Sequence, residues 1–246
     1  MKKTNINMKQ HLPIDLVSVN CLTPEESIKA LAYCNKFFTF NRTILFTSES
    51  ISNSNCEIVK INKFKTIDDY SDFMLKIGNF TTSDHVLIIQ DDGHIINSER
   101  WDNKFLEYDY IGAPWPKDYR WRKRWNKKIY NNASKNAKKN RVGNGGFSLR
   151  SRKFLDYSMQ FGSCKGIAED VFLCLVNYEI AMENDIKFAP FDLAYYFSAE
   201  VPLIGKKLTQ EGKNLPIDVT KHFGWHGKRF TNSEILLDLK NSTGEL

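Results

Sequence analysis

His85-Val86-Leu87-Ile88-Ile89-Gln90-Asp91-Asp92-Gly93 is a nearly continuous apolar run that stops at an amide, two carboxylates and a glycine. A strand with apolar side chains at successive positions has no face for water. It reads as a central strand of a parallel sheet, covered on both sides. The chain before it alternates between strand and helix. Ile14-Asp15-Leu16-Val17-Ser18-Val19 is a β-rich run. Thr23-Pro24-Glu25-Glu26 then offers an N-cap, a Pro at the first helical position and a capping-box Glu, opening a helix that runs to about Phe38. Thr43 to Phe46 and Glu57 to Ile61 read as two further strands. Thr66 to Asp69 opens a second helix with Tyr70, Phe73, Met74 and Ile77 on one face. Strands separated by helical patterns predict βαβ units, hence an α/β domain with a mostly parallel central sheet flanked by helices.

After Asp92 the alternation breaks up. Short strands (Tyr110-Ile111, Gly146 to Leu149) mix with helices over about 151–160 and 169–183. Ligands of such sheets bind at the carboxyl ends of the strands, so this irregular half is expected to build the site.

With 246 residues, 41% of them hydrophobic and 26% charged, the chain has enough apolar content for a single large domain with a real core. The expected division is a flexible segment at 1–12, one domain at 13–232, and a C-terminal tail or helix at 233–246. No run of about 18 apolar residues is present, which excludes a transmembrane helix of ordinary length. The basic start has no apolar region after it and does not read as a signal peptide. Five scattered cysteines with no Cys-x-x-Cys pair suggest reduced thiols, not a disulfide frame or a zinc site. A cytoplasmic protein, of viral or bacterial kind, is the expectation.

The net charge of +6 is unevenly placed. Residues 117–141 hold eleven Lys and Arg against the single acid Asp118, which makes the segment +10 and the remainder −4. Tyr119, Trp121, Trp125 and Tyr130 are interleaved in it. Its second half, from Asn131 to Asn136, lacks an apolar period and reads as a mobile loop inserted between two motifs.

Four clusters could carry chemistry. Asp91 and Asp92 stand side by side at a strand's carboxyl end, where adjacent negative charges are costly without a cation. Mg²⁺ or Mn²⁺ would suit oxygen ligands of this kind, with substrate phosphates completing the shell; a polar turn is the plain alternative. Gly143-Asn144-Gly145-Gly146 permits close backbone approach to a ligand, but it matches neither the dinucleotide fingerprint nor a P-loop, and a tight turn would serve as well. Glu169-Asp170 precedes the apolar run Val171-Phe172-Leu173. It could supply a catalytic base, held ionised by a helix start at some loss of basicity, or merely complement the helix dipole. His226, between Trp225 and Gly227, is a candidate metal ligand. Trp115, in the rigid turn Gly112-Ala113-Pro114-Trp115-Pro116, could stack on a sugar or base, or close the core.

Taken together, these segments resemble GT-A glycosyltransferases, and most nearly a family of predicted glycosyltransferases catalogued as a domain of unknown function. The resemblance lies in Val86 to Gly93, Tyr108 to Trp115, Val142 to Ser151, Ala168 to Phe172 and Phe223 to Gly227, in order along most of the chain. It implies a GT-A-like (Rossmann-like) fold and a hexosyltransferase-like enzyme that uses a nucleotide-sugar donor, a UDP-sugar by default, with Mn²⁺ or Mg²⁺. Asp92, last acid of a D-x-D-like triplet, would ligate the metal, and His226 would complete its site. Gln90 departs from the strict motif; Gln90 and Asp91 would lie against the donor, as would Asn144, Gly145, Gly146 and Trp115. Asp170, or its neighbour Glu169, would act as base in an inverting transfer. An anionic acceptor, nucleic acid or glycan, would meet the 117–141 segment. Two other readings stand beside this one. The basic segment could make the chain a nucleic-acid-binding module. A sugar nucleotidyltransferase is a second, though Val19-Asn20-Cys21-Leu22-Thr23 lacks the Gly-rich basic loop it would need after the first strand.

Overall fold

A computed structural model describes residues 9–116, 127–200 and 220–227. Within them the chain forms β1 (Gln10–Val19), α1 (Pro24–Cys34), β2 (Phe38–Thr47), β3 (Glu57–Lys60), α2 (Ile67–Met74), β4 (His85–Ile89), β5 (Gly93–Ile95), β6 (Tyr110–Gly112), α3 (Lys127–Asn136), β7 (Phe147–Ser151), α4 (Arg152–Met159), α5 (Glu169–Val171), α6 (Tyr178–Glu183), α7 (Phe191–Phe197), β8 (Ser198–Ala199) and β9 (Gly224–His226). The main sheet has the order β3-β2-β1-β4-β7-β6. The first four strands are mutually parallel, while β7 runs antiparallel to both β4 and β6. This is the mixed α/β architecture with a mostly parallel sheet that the sequence predicts, with one reversed strand beside the centre.

The apolar run of β4 is covered on both faces. Leu87 and Ile89 enter one buried cluster and Val86 and Ile88 the other. Alternation within a strand sends neighbours to opposite faces, so both clusters are anchored by the same short strand. Each such side chain contributes roughly 1.5–3 kcal/mol by leaving water. β4 therefore ends at a fixed point, and Gln90 to Asp92 begin from it.

Several local expectations change. Phe38 is not the end of the first helix but the first residue of β2, paired with Gln10. β1 likewise starts at Gln10, inside the segment expected to be flexible; residues 1–8 lie outside the described residues, as does the 233–246 tail. Thr23 makes no side-chain cap. The Asn20 carboxamide accepts from the Leu22 and Thr23 amides instead, and the capping box is at Thr66 and Asp69. The helix expected over 169–183 is three pieces. A π-helical turn, Phe172–Val176, separates α5 from α6, and both the backbone and the side-chain amide of Asn177 donate to the Phe172 carbonyl.

Residues 131–136, expected as loop, belong to helix α3. Its sequence is too polar to announce itself. It is held where Ala133 and Asn136 are buried, with Asn136 Nδ2 donating to the Leu175 carbonyl and Asn140 Nδ2 to that of Cys174. Residues 117–126, including Trp121 and Trp125, lie outside the described residues. Among the described residues no helix is long and apolar enough to cross a membrane.

Candidate active site

The turn after β4 is closed by the Gly93 amide on the Gln90 carbonyl, and β5 starts at once. β5 pairs antiparallel with β9 in a register that sets Gly93 opposite His226. That pairing brings together residues separated by 136 positions. His226 Nε2 lies 2.9 Å from Gln90 Oε1 and 3.2 Å from Asp92 Oδ1. Asp92 is 9% exposed. Burial alone would lower the His226 pKa; the Asp92 hydrogen bond and charge, aided by Glu200 and Asp170, more than offset it, so the value is raised. His94, two residues past Asp92, behaves oppositely. Burial pulls it down to about 4, and the Trp225 indole donates to its Nδ1 at 3.2 Å.

The glycine segment backs this cluster. Gly146 accepts the Gln90 amide on its carbonyl at 2.9 Å. A Cβ at Gly146 would collide with the His226 ring, and one at Gly143 with the Trp115 ring. These glycines are required by close approach, not by an unusual φ. Asn144 turns the segment by accepting the Gly146 amide on its side chain at 3.1 Å. The Tyr110 hydroxyl ties down the Gly143 and Asn144 carbonyls.

On the far side of the same segment are the carboxylates of α5. Glu169 is 6% exposed and forms an ion pair of 2.5 Å with Arg150, itself 1% exposed. Arg150 also donates to Ser148 Oγ and lies over the Tyr110 ring. Asp170 takes no part in that ion pair. It is partly exposed, and accepts from the Gly145 amide at 3.1 Å and the Val171 amide at 2.7 Å. Burial first, then the adjacent Glu169 charge, lifts its pKa to about 7 against those two hydrogen bonds. This corrects the expectation of a carboxylate held ionised and weakly basic by a helix start. A three-residue α5 has little dipole to offer, and desolvation wins.

The structure thus gathers Gln90, Asp92 and His226 on one flank of Asn144-Gly145-Gly146, and Glu169 and Asp170 on the other. Asp91 sits beside the first group, its Oδ2 3.5 Å from the Thr23 hydroxyl. Trp115 is 4% exposed and packs on Gly143. Of its two readings, this burial fits the closing of the core. Two residues escape the sequence reading. Tyr70 accepts from Gln90 Nε2 at 3.1 Å, and its only sequence signal is apolar spacing on α2. Glu200 Oε1 stands 3.9 Å from His226 Nδ1, carried there by the parallel pairing of β8 with β9.

A divalent cation fits the first flank by donor chemistry. Among the described residues no three His, Cys, Asp or Glu side chains converge as a metal cluster. One carboxylate, one imidazole and one amide oxygen do converge, and Mg²⁺-type sites commonly need only one or two carboxylates once substrate phosphates join.

The family model described as "Protein of unknown function (DUF5672)" matches residues 53–217. No curated protein matches the sequence. Among solved structures, the chain is similar to the mannosyltransferase PcManGT from Pyrobaculum calidifontis, in complex with GDP-Man and Mn²⁺. That match has a TM-score of 0.43 and 10% identity, and covers 73% of this chain and 55% of the other. It is also similar to glucosyl-3-phosphoglycerate synthase from Mycobacterium tuberculosis, in complex with phosphoglyceric acid. There the TM-score is 0.40 with 12% identity, over 58% of this chain and 57% of the other. The chain spans little more than half the length of either protein.

Proposed function

The chain belongs to the DUF5672 family, whose description assigns no chemistry, and from the geometry of its own site we propose that it is a glycosyltransferase using a nucleotide-sugar donor and a divalent cation, Mn²⁺ or Mg²⁺. The observation that carries this reading is the meeting of Gln90, Asp92 and His226 across 136 residues, with the Asp170 carboxylate beyond the glycine segment.

Glycosyl transfer poses two demands. The departing diphosphate must be neutralised, and a weakly acidic acceptor hydroxyl must lose its proton as it attacks. When bound, the cation would supply Lewis-acid neutralisation of the diphosphate. Asp92 and His226 would hold it. Asp170 is suited to the second demand. Burial and the Glu169 charge lift its carboxyl above the usual carboxylate range, which makes it a stronger base than an exposed aspartate. Glu169 acts through Arg150: their ion pair fixes the first turn of α5 and so the position of Asp170. A UDP-sugar remains the default donor, and inversion follows if Asp170 is the base.

The basic stretch supports an anionic acceptor less than its charge suggests. Lys139 pairs with Glu179 at 2.6 Å. Arg141 stacks on Phe191 and donates to the Trp115 carbonyl. These two cations anchor the segment to the fold, leaving the nucleic-acid reading to its other nine, Lys135 and Lys138 among them.

The test is a panel of nucleotide sugars, scored by thermal shift and by donor hydrolysis with Mn²⁺ or with EDTA. At least one donor should stabilise the protein only with metal present. No response to any donor under either condition refutes the reading.

A further inference from the structure

We propose that Gln90 is itself a ligand of the divalent cation, through its side-chain carbonyl oxygen, and that Tyr70 is the positioning residue that aims it; this rests on the metal-dependent reading above. In the resemblance to D-x-D proteins, Gln90 is only a departure from an acid. The geometry gives it a role of its own.

The amide is held at both ends. Gln90 Nε2 donates to Tyr70 Oη at 3.1 Å, which turns Oε1 towards His226 Nε2, 2.9 Å away, and Asp92 Oδ1 lies 3.2 Å from the same nitrogen. Tyr70 comes from α2, with its ring edge-on to Phe64. Its placement is thus set by packing that has nothing to do with the site.

The spacing is what an octahedral cation needs. Ligand bonds of about 2.0–2.1 Å put neighbouring donor atoms about 2.8–3.0 Å apart. Both separations from His226 Nε2, 2.9 Å to Gln90 and 3.2 Å to Asp92, are close to that edge length. Two oxygens already stand about this far from the nitrogen, so entry of a cation asks for little movement. A carbonyl, a carboxylate and an imidazole suit Mn²⁺. A neutral ligand at 90 also makes electrostatic sense. Asp91 and Asp92 are adjacent, so the turn already carries two acidic side chains.

The measurement is Mn²⁺ binding to the full chain by electron paramagnetic resonance, with and without UDP, alongside circular dichroism and thermal melting. The native protein should bind Mn²⁺ with a nitrogen coupling from His226. Gln90→Leu should weaken binding at least tenfold, and Gln90→Glu, which restores an oxygen, should not. Tyr70→Phe should weaken it about tenfold, in the range of outer-shell partners, with the nitrogen coupling kept. Should Gln90→Leu fail to fold, Tyr70→Phe and Gln90→Glu decide. If the native protein binds Mn²⁺ and Tyr70→Phe and folded Gln90→Leu bind within twofold of it, Gln90 is no ligand, though the metal site stands. If the native protein binds no Mn²⁺ even with UDP, both proposals fall.

Discussion

The two flanks of the Asn144-Gly145-Gly146 segment both concentrate acidic groups, and they deal with them in opposite ways. On one flank Asp92 faces the imidazole of His226, an exchangeable partner 3.2 Å away. On the other, Glu169 is matched by the permanent cation of Arg150 at 2.5 Å, and both are buried. Asp170, one residue on, is held by backbone amides instead of a cation. On the proposed reading, this flank can take a metal between carboxylate and imidazole. A guanidinium in the core cannot leave, so the Glu169 pair is fixed structure, and the carboxylate beside it is the proposed base.

The sharpest way to break this division is to remove the exchangeable flank. Asp92→Ala should abolish Mn²⁺-dependent binding of the donor, measured by calorimetry, while the melting profile stays cooperative. Unchanged donor affinity with and without metal would show that the flank is only a turn.

Next in size is the proposed base. Asp170→Asn should lower the turnover rate by about 10²–10⁴-fold, the usual range for a general base. Donor affinity should stay within about threefold, because Asp170 lies across the glycine segment from the metal flank. Full activity in this variant would move the base to another residue. Glu169→Gln should instead act on stability. It leaves Arg150 charged in the core without its partner, at a cost of about 3–5 kcal/mol. Denaturant unfolding should show that loss at any pH where the native protein is folded. A shift below about 1 kcal/mol would mean that the ion pair does not fix α5.

Much of the regular half is legible in its residues alone. β4 announces itself because burial on both faces leaves no polar position, and Leu87 and Val86 do go to opposite clusters. Direction is not legible. Nothing in Phe147-Ser148-Leu149-Arg150 says that β7 runs against its neighbour β4. A charge inside that apolar run is a signal, however: a strand arginine must be paired, and Glu169 is its partner. Trp115 is ambiguous, because an aromatic after Pro114 looks the same whether it meets a ligand or, as here, Gly143. α3 is hidden by its composition: Ala133, Ile129 and Tyr130 give it a narrow apolar face in an otherwise polar sequence, and Asn136 and, just past its end, Asn140 add side-chain hydrogen bonds. His226 stands out by its neighbours, but its meeting with Asp92 depends on a register between β5 and β9 that no local pattern encodes. Tyr70 and Glu200 reach the site only through tertiary packing.

The smallest effect expected is also the one that separates Asp170 from Glu169 without damaging either flank. The Asp170 carboxyl is lifted from 3.8 to about 7, by burial and then by Glu169. The folded state therefore holds more protons than the unfolded state between these values, and stability must fall as pH rises from about 4 to about 7. Above that the penalty is complete. Asp170→Asn removes this pH-dependent part, at the cost of one of the two backbone hydrogen bonds at any pH, so the melting temperature of the variant relative to the native protein should rise from pH 4 to pH 8. Catalysis should move the other way. Only the ionised carboxylate accepts a proton, so kcat/KM in the native protein should climb through an apparent pKa near 7. One carboxylate would then lower stability in the same pH range in which it raises activity. If the native and Asp170→Asn melting curves run parallel with pH, Asp170 titrates like an ordinary surface acid and the contrast between the two α5 carboxylates collapses.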